Sequence, residues 1–398
     1  MKTDNRLFLD CLKAWLGEKE ASPELVERLE NFQGEISTSD GASLAAMDFA
    51  LKKLNLVDYF PPDQINRLAR YKHFNVANGA SMFLDLDTFL QETDRENIPV
   101  LLLKGLALIK GGVFPGKGLR LMSDLDVLVR DEDIDRVEKL LDRIGWMRDE
   151  NECELHEKHH MPVRIGPHGT LLEVHFALSR IPMPVDNEEM WERSAALDNY
   201  SNARIPSLED TLIHLVLNAA LHHPDKLVPL HLKLVSDFAF IWNFRGRRLD
   251  WKYIDRKVRE MGVVTPFWNA VSVSGKLLDP PGFDEAVASF GIESKADGGF
   301  VDMLVSSILD GESRGELSWL VVLAAEEKNP LKRVYKYLQV LFPPRTFMRQ
   351  AYPDWDKFPK SCFAYVVRLF KVLRNINFTN FAMARKAGRM SRTVNNPD

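Results

Sequence analysis

The hydrophobic period of this chain changes near residue 98 and again near residue 206, and these changes constrain its architecture more than any other feature. Up to residue 97, apolar residues recur at three- and four-residue spacings, as in amphipathic helices. Short apolar runs and alternating patterns follow and favour strands, and helical spacing returns after Pro206. The order predicts an α/β chain with a small mixed sheet, flanked by N-terminal helices and a C-terminal helical domain.

The same pattern divides the chain into four parts. We expect an N-terminal helical region at 1–97, a central core at 98–200, a C-terminal helical domain at 201–385 and a flexible tail at 386–398. Within the core, strands are predicted at 98–103, 122–129, 161–165 and 170–178, with the last two forming a hairpin. Helices are predicted between the earlier strands, on one side of the sheet, and a glycine-rich loop at 111–118 precedes the second strand.

Composition and charge restrict the class of protein. The 398 residues include three cysteines, which lie far apart, so neither a disulfide framework nor a cysteine zinc site is indicated. No apolar run approaches the roughly 20 residues of a membrane span, and no signal peptide is indicated at the N-terminus. We therefore expect a cytoplasmic protein.

Positive charge is concentrated at the C-terminal end of the sequence. The net charge is -5, yet residues 331–398 contain 14 Lys and Arg against 3 Asp. Such asymmetry indicates either an anionic partner at this basic region or the solvated faces of ordinary helices.

Acidic residues on two of the predicted strands indicate a metal site. Asp124 and Asp126 alternate with apolar residues, so both carboxylates project from one face of a strand. Glu173 lies within the apolar segment LLEVHF, where an acid needs a partner or a metal, and His175 shares its face. The aspartate pair could instead cap a turn or meet solvent. With Glu173 added, the set predicts a divalent-cation site.

A strand-to-helix turn just before this pair supplies candidate phosphate contacts. Lys104 and Gly105 follow the apolar segment VLLL, and Arg120 precedes the second strand. Cations beside a glycine turn are typical of phosphate binding, although Lys104 could instead be a surface lysine at a strand end.

A second metal motif lies between these strands, since HEKHH at 156–160 has the HExxH pattern of zinc proteases. That motif requires a continuous helix, but Pro162 follows almost at once and the next residues favour an extended chain. We therefore interpret these histidines as strand or loop residues near an acidic site.

Several segments resemble a known family: LLLKG, RLMSDLDVLV, the helix end at Gly145-Trp146, and LLEVHF. They resemble the uncharacterised nucleotidyltransferase family of the DNA polymerase β-like superfamily. The segments SDFAFIWN, LDWKYIDRKVREMG and LFPPRTFMRQAYP are similar as well, so the resemblance spans most of the chain.

The resemblance implies a nucleotidyltransferase catalytic core that moves a nucleoside monophosphate from an NTP to a hydroxyl acceptor and releases pyrophosphate. It implies two Mg²⁺ (or Mn²⁺) ions, with metal-binding and catalytic roles for Asp124, Asp126 and Glu173. Nucleotide contacts are implied for a further set: Lys104, Gly105, Arg120 and His175. The superfamily commonly has a serine after the glycine of the turn, whereas this chain has Leu106.

Two questions stay open at the level of sequence. The acceptor could be a small molecule, an RNA end or a protein side chain. Because Leu106 replaces the serine, the chain could also be a catalytically weak nucleotide-binding or partner-binding protein on the same fold.

Overall fold

The computed structural model of the chain describes residues 5–17, 20–33, 41–148, 159–178, 187–219, 227–289, 296, 298–309 and 365–366. Within these ranges it contains thirteen α-helices and one seven-stranded mixed sheet. The predicted combination of a small mixed sheet with helices before and after it is therefore confirmed. The predicted tail at 386–398 and, apart from residues 365–366, the basic region at 331–398 lie outside the described residues.

Along the chain, helices precede the strands, lie between them and follow them. Before it lie α1 (Asn5–Leu16), α2 (Pro23–Glu30), α3 (Gly41–Lys53) and α4 (Pro62–Arg95). Among the strands lie α5 (Lys104–Lys110), α6 (Ile134–Arg143) and α7 (Glu188–Glu192). After it lie α8 (Leu208–Leu217), α9 (Leu227–Arg245), α10 (Trp251–Glu260), α11 (Val264–Leu278), α12 (Phe283–Ser289) and α13 (Gly298–Leu309).

The helices before the sheet share a hydrophobic core with those after it. Trp15 of α1 and Phe49 of α3 both pack on Phe240 of α9, with ring centroids 5.0 and 5.4 Å from it. Aromatic and aliphatic residues of α8, α10 and α11 extend the same core. The last half of α4 instead packs on the sheet, so this 34-residue helix connects the two cores.

The sheet has the strand order β3-β4-β5-β2-β1-β7-β6. Its strands are β1 (Val100–Leu102), β2 (Asp124–Leu128), β3 (Met147–Arg148), β4 (Arg164–Ile165), β5 (Leu171–His175), β6 (Ala195–Ala196) and β7 (Ala203–Ile205). β2 pairs antiparallel with β1 and parallel with β5, and β4 and β5 form the predicted antiparallel hairpin. β3, β6 and β7 were not predicted.

Alternating side chains give the sheet two different faces. On one face, Leu125, Val127 and Val174 join a core formed with α4 and α6. On the opposite face, Leu101 and Leu128 contact α7 through a small separate cluster that includes Trp191. The expectation that helices cover one side only is therefore wrong, because the short helix α7 packs on the other side.

Within the part of the chain that the structure describes, no helix is both long enough and apolar enough to cross a membrane.

Candidate active site

The acidic residues of β2 and β5 meet on the face of the sheet opposite α4 and α6. The parallel register pairs Asp126 with Glu173 and Leu128 with His175. Because Leu125, Val127, Leu172 and Val174 point into the core, the residues between them point the other way. Strand alternation thus places Asp124, Asp126, Glu173 and His175 on a common face, as the sequence predicts.

Three of these side chains converge. His175 Nε2 lies 2.9 Å from Asp126 Oδ1 and 3.3 Å from Glu173 Oε2. One ligand-type atom from each of the three residues falls within 4.8 Å of the others, so they could hold one metal ion. Asp124 precedes this cluster on β2 and is not part of it. Its carboxylate is partly buried and accepts a hydrogen bond from Ser123 Oγ at 3.1 Å.

Lys104 neutralises part of the acidic cluster. Its ammonium group donates a hydrogen bond to Asp126 and lies 3.6 Å from Glu173 Oε2. Lys104 begins α5 with φ at +48°, a left-handed backbone conformation that is uncommon for residues other than glycine. The strand-to-helix turn therefore directs the lysine towards the carboxylates of β2 and β5.

The four central groups hold one another in their charged forms. Burial opposes ionisation of Asp126, but Lys104 and His175 hold its pKa well below the usual value. Burial also opposes ionisation of Glu173, yet the hydrogen bond with His175 lowers its pKa. Conversely, burial disfavours the protonated form of His175, while Asp126 and Glu173 raise its pKa. The charges of Lys104 and His175 can thus balance two carboxylates.

Asp124 has the opposite electrostatics. Burial raises its pKa, and the carboxylates of Asp126 and Glu173 raise it further. Lys104 and Lys233, a residue of α9, offset part of this effect. A bound cation near Asp124 would favour the ionised carboxylate for the same reason.

Arg120 forms an ion pair with an aspartate that no sequence pattern indicated. Its Nε and Nη2 donate to Asp237 Oδ1 and Oδ2 of α9, each at 2.8 Å, and both side chains are buried. The guanidinium group also covers Gly105, where an added Cβ would lie 2.2 Å from Arg120 Nη1. Arg120 therefore links the turn at Lys104 and Gly105 to α9. Its predicted contact with a nucleotide stays a prediction.

The glycine-rich loop before β2 and the residues that follow it are hydrogen-bonded to α4. Asn75 Nδ2 donates to the Gly118 carbonyl at 3.1 Å, and Asn78 Nδ2 donates to the Met122 carbonyl at 3.0 Å. Gly118 has φ at +74°, and a Cβ there would meet the Lys72 carbonyl oxygen at 2.8 Å. These contacts fix the chain on either side of Arg120.

Further histidines surround the cluster. His159 and His160 lie in an extended segment beside β5, with ring centroids 5.3 and 5.5 Å from that of His175. Residues 156–158 of the HExxH pattern lie outside the described residues. His214 of α8 is buried, with its ring centroid 6.5 Å from that of His175, and burial lowers its pKa to about 3. The alternation of β5 indicated His175, but no local pattern indicated His214.

The donor set fits a divalent cation. Two carboxylates supply the hard oxygen ligands that Mg²⁺ and Mn²⁺ prefer, and an imidazole nitrogen suits Mn²⁺ better than Mg²⁺. The raised pKa of His175 means that protons and cations compete for the same atoms.

Comparison with known families identifies a matching family model. A family model described as an uncharacterised nucleotidyltransferase matches residues 48–279, a span that includes every site residue from Lys104 to Asp237. Comparisons with curated proteins and with solved structures found no match.

Proposed function

The chain belongs to the uncharacterised nucleotidyltransferase family, and on this premise we propose that it transfers a nucleoside monophosphate from an NTP to a hydroxyl acceptor, with release of pyrophosphate. The observation that carries the proposal is the meeting of Asp126 and Glu173 across paired strands, beside the Lys104 turn. Acidic groups bind divalent cations and a lysine binds phosphate, so neighbouring residues supply both the metal-binding and the phosphate-binding groups that such a reaction needs.

We assign metal binding to the acidic face. Asp126, Glu173 and His175 would hold one divalent ion, and Asp124 on the same face would help to hold a second. Such ions neutralise charge on phosphoryl oxygens and lower the pKa of an attacking hydroxyl. We propose Mg²⁺ or Mn²⁺ for both positions.

The protein groups have separate tasks in this scheme. A carboxylate of the cluster, Glu173 in our assignment, accepts the proton as the acceptor oxygen bonds to the α-phosphorus. The bond from that phosphorus to the pyrophosphate oxygen breaks, and Lys104 and Gly105 contact the departing phosphates. Arg120 holds the turn in place through its ion pair with Asp237, and its predicted contact with phosphate would require that pair to open.

The proposal is tested with labelled NTPs, Mg²⁺ or Mn²⁺, and separate pools of small hydroxyl compounds, RNA and protein as acceptors. We expect transfer of label and release of pyrophosphate by the wild type, and a loss of at least about 100-fold in Asp126→Asn. Asp131→Asn is the matched control, since Asp131 is an exposed acid in the 3-10 turn Asp131–Asp133 before α6. Equal labelling by wild type and Asp126→Asn would exclude the mechanism.

A second candidate function is nucleotide binding with little turnover. It is supported by Leu106, which is buried at 1% exposure where the superfamily commonly has a serine. Calorimetry separates the two functions: NTP binding that is independent of metal, without pyrophosphate release, favours the binding protein.

A further inference from the structure

The C-terminal end of α9 forms an arginine-rich pocket well away from the acidic cluster. The pocket has a volume of about 420 Å³ and lies between the end of α1, the end of α9 and Pro281. Along α9, Arg245 is about 12 Å from Asp237, at 1.5 Å per residue. The pocket is therefore separate from the proposed transfer site.

Three guanidinium groups surround this pocket. Arg245 ends α9, and Arg247 and Arg248 follow in the 3-10 turn Gly246–Arg248. All three are exposed, and within the described residues none of them forms an ion pair. Arg247 Nε donates to the Pro281 carbonyl at 3.0 Å, which fixes its position at the rim.

Two neighbouring carboxylates, those of Asp250 and Asp279, have other partners. Asp250 accepts a hydrogen bond from the Tyr253 backbone N–H at 2.9 Å as the cap of α10. Asp279 pairs with Lys13 at 2.9 Å. Glu285 Oε2 lies beside Arg247, since both come within 3.6 Å of a Cβ built on Gly282. The three arginines outnumber this carboxylate, so the pocket keeps an excess of positive charge that suits an anionic ligand.

The aromatic residues of the pocket add a flat apolar surface. Phe244 is 42% exposed, and the Arg245 guanidinium lies 5.5 Å from the centre of its ring. Trp242 lies beneath, and Gly246 permits the turn to approach it, because a Cβ there would lie 2.5 Å from the indole. An exposed ring beside guanidinium groups is the combination that binds a base together with its phosphate.

We propose that this pocket binds a nucleotide, either free or as one residue of a single-stranded RNA, with its phosphate at Arg247 and Arg248 and its base against Phe244. A volume of about 420 Å³ suits one nucleotide. The site is independent of the proposed transfer reaction.

Binding is measured by calorimetry in EDTA with UMP, inorganic phosphate and a short oligouridylate, so that metal-dependent binding at the acidic cluster is excluded. We expect Arg247→Gln/Arg248→Gln to weaken UMP and oligouridylate binding by about tenfold or more. Phe244→Ala should weaken UMP binding by about tenfold without changing phosphate binding.

Two variants control for charge and location. Arg70→Gln/Lys139→Gln removes two exposed positive charges, in α4 and α6, and Lys117→Gln removes one exposed charge from the glycine-rich loop before β2. Both should bind UMP as the wild type does, with unchanged circular dichroism spectra. An oligouridylate affinity well above that for UMP identifies an RNA strand as the ligand, whereas equal affinities identify a free nucleotide. The proposal is overturned if wild type binds neither probe, or if the control pair weakens binding as much as the arginine pair.

Discussion

Lys104, the first residue of α5, has a left-handed backbone conformation and donates a hydrogen bond to Asp126 of β2. Its positive charge balances the carboxylate of Asp126. Only 15% of the Lys104 side chain and 6% of the Asp126 side chain are exposed. Unfavourable backbone conformations persist where surrounding contacts compensate for them, and here the compensating contact lies in the candidate site.

Removing this ammonium group should make the protein depend on metal for stability. In Lys104→Met without metal, Asp126 and Glu173 lose their cation, and we expect a loss of about 3 kcal/mol in the free energy of unfolding. A bound divalent cation restores charge balance, so Mn²⁺ should raise the Tm of the variant more than that of the wild type. Lys110→Met, at a lysine 3.9 Å from Asp87, is the control. Equal Mn²⁺-induced shifts in all three proteins would contradict the prediction.

The pKa of His175 predicts how stability changes with pH. Burial lowers this pKa, but hydrogen bonds to Asp126 and Glu173 raise it above that of the unfolded chain. The protonated imidazole therefore contributes its full stability below the unfolded pKa of about 6.5, and this contribution is lost as the pH rises through the folded pKa. Denaturant unfolding in EDTA should show this decline in the wild type and not in His175→Gln. Parallel pH profiles for the two proteins would refute the assignment.

Removing one partner of the buried Arg120–Asp237 pair should cost much more stability than replacing both partners with apolar residues. Asp237→Leu leaves a buried guanidinium without its partner, and we expect a loss of about 4 kcal/mol. Arg120→Met/Asp237→Leu should recover much of this loss, as measured by urea unfolding. In the exposed pair of Lys276 and Asp302, Asp302→Leu should change stability by less than about 0.5 kcal/mol. Losses that simply add in the double variant would show that the two side chains do not act as a pair.

Gly105 should tolerate no side chain. In Gly105→Ala, the new Cβ would lie 2.2 Å from Arg120 Nη1, so the guanidinium must move. We expect a loss of about 2 kcal/mol in stability together with reduced transferase activity. Gly79→Ala in α4 is the opposite case, because its Cβ would lie 3.8 Å from Phe83, and it should gain about 0.5 kcal/mol. A Gly105→Ala protein as stable as the wild type would show that Arg120 has room to shift.

Local patterns predicted those parts of the structure that depend on the alternation of side chains along a strand. The common face of Asp126 and Glu173 follows from the apolar residues on either side of each, whatever their partners are. The start of α4 at Pro62 and the Ser207 cap of α8, which accepts from the Asp210 N–H, also depend only on neighbouring residues. Such features can be derived from a few consecutive residues.

The features that were missed depend on distant contacts or on very short elements. Asp237 lies 117 residues from Arg120, and no spacing rule connects an arginine before a strand with a helical aspartate. The strands β3 and β6 have two residues each, too few to show alternation. α7 has five residues, so its position on the second face was set by packing rather than by a long apolar stripe.

The position of β2 and β5 within the strand order should protect the candidate site from local unfolding. β2 lies at the middle of the seven strands, and β5 is shielded from the edge by β4 and β3. Local opening of a sheet begins at its edges, and amide hydrogens of inner strands exchange last. The geometry of Asp126 and Glu173 should therefore persist through fluctuations that transiently release β3 or β6, and be lost only when the whole sheet unfolds.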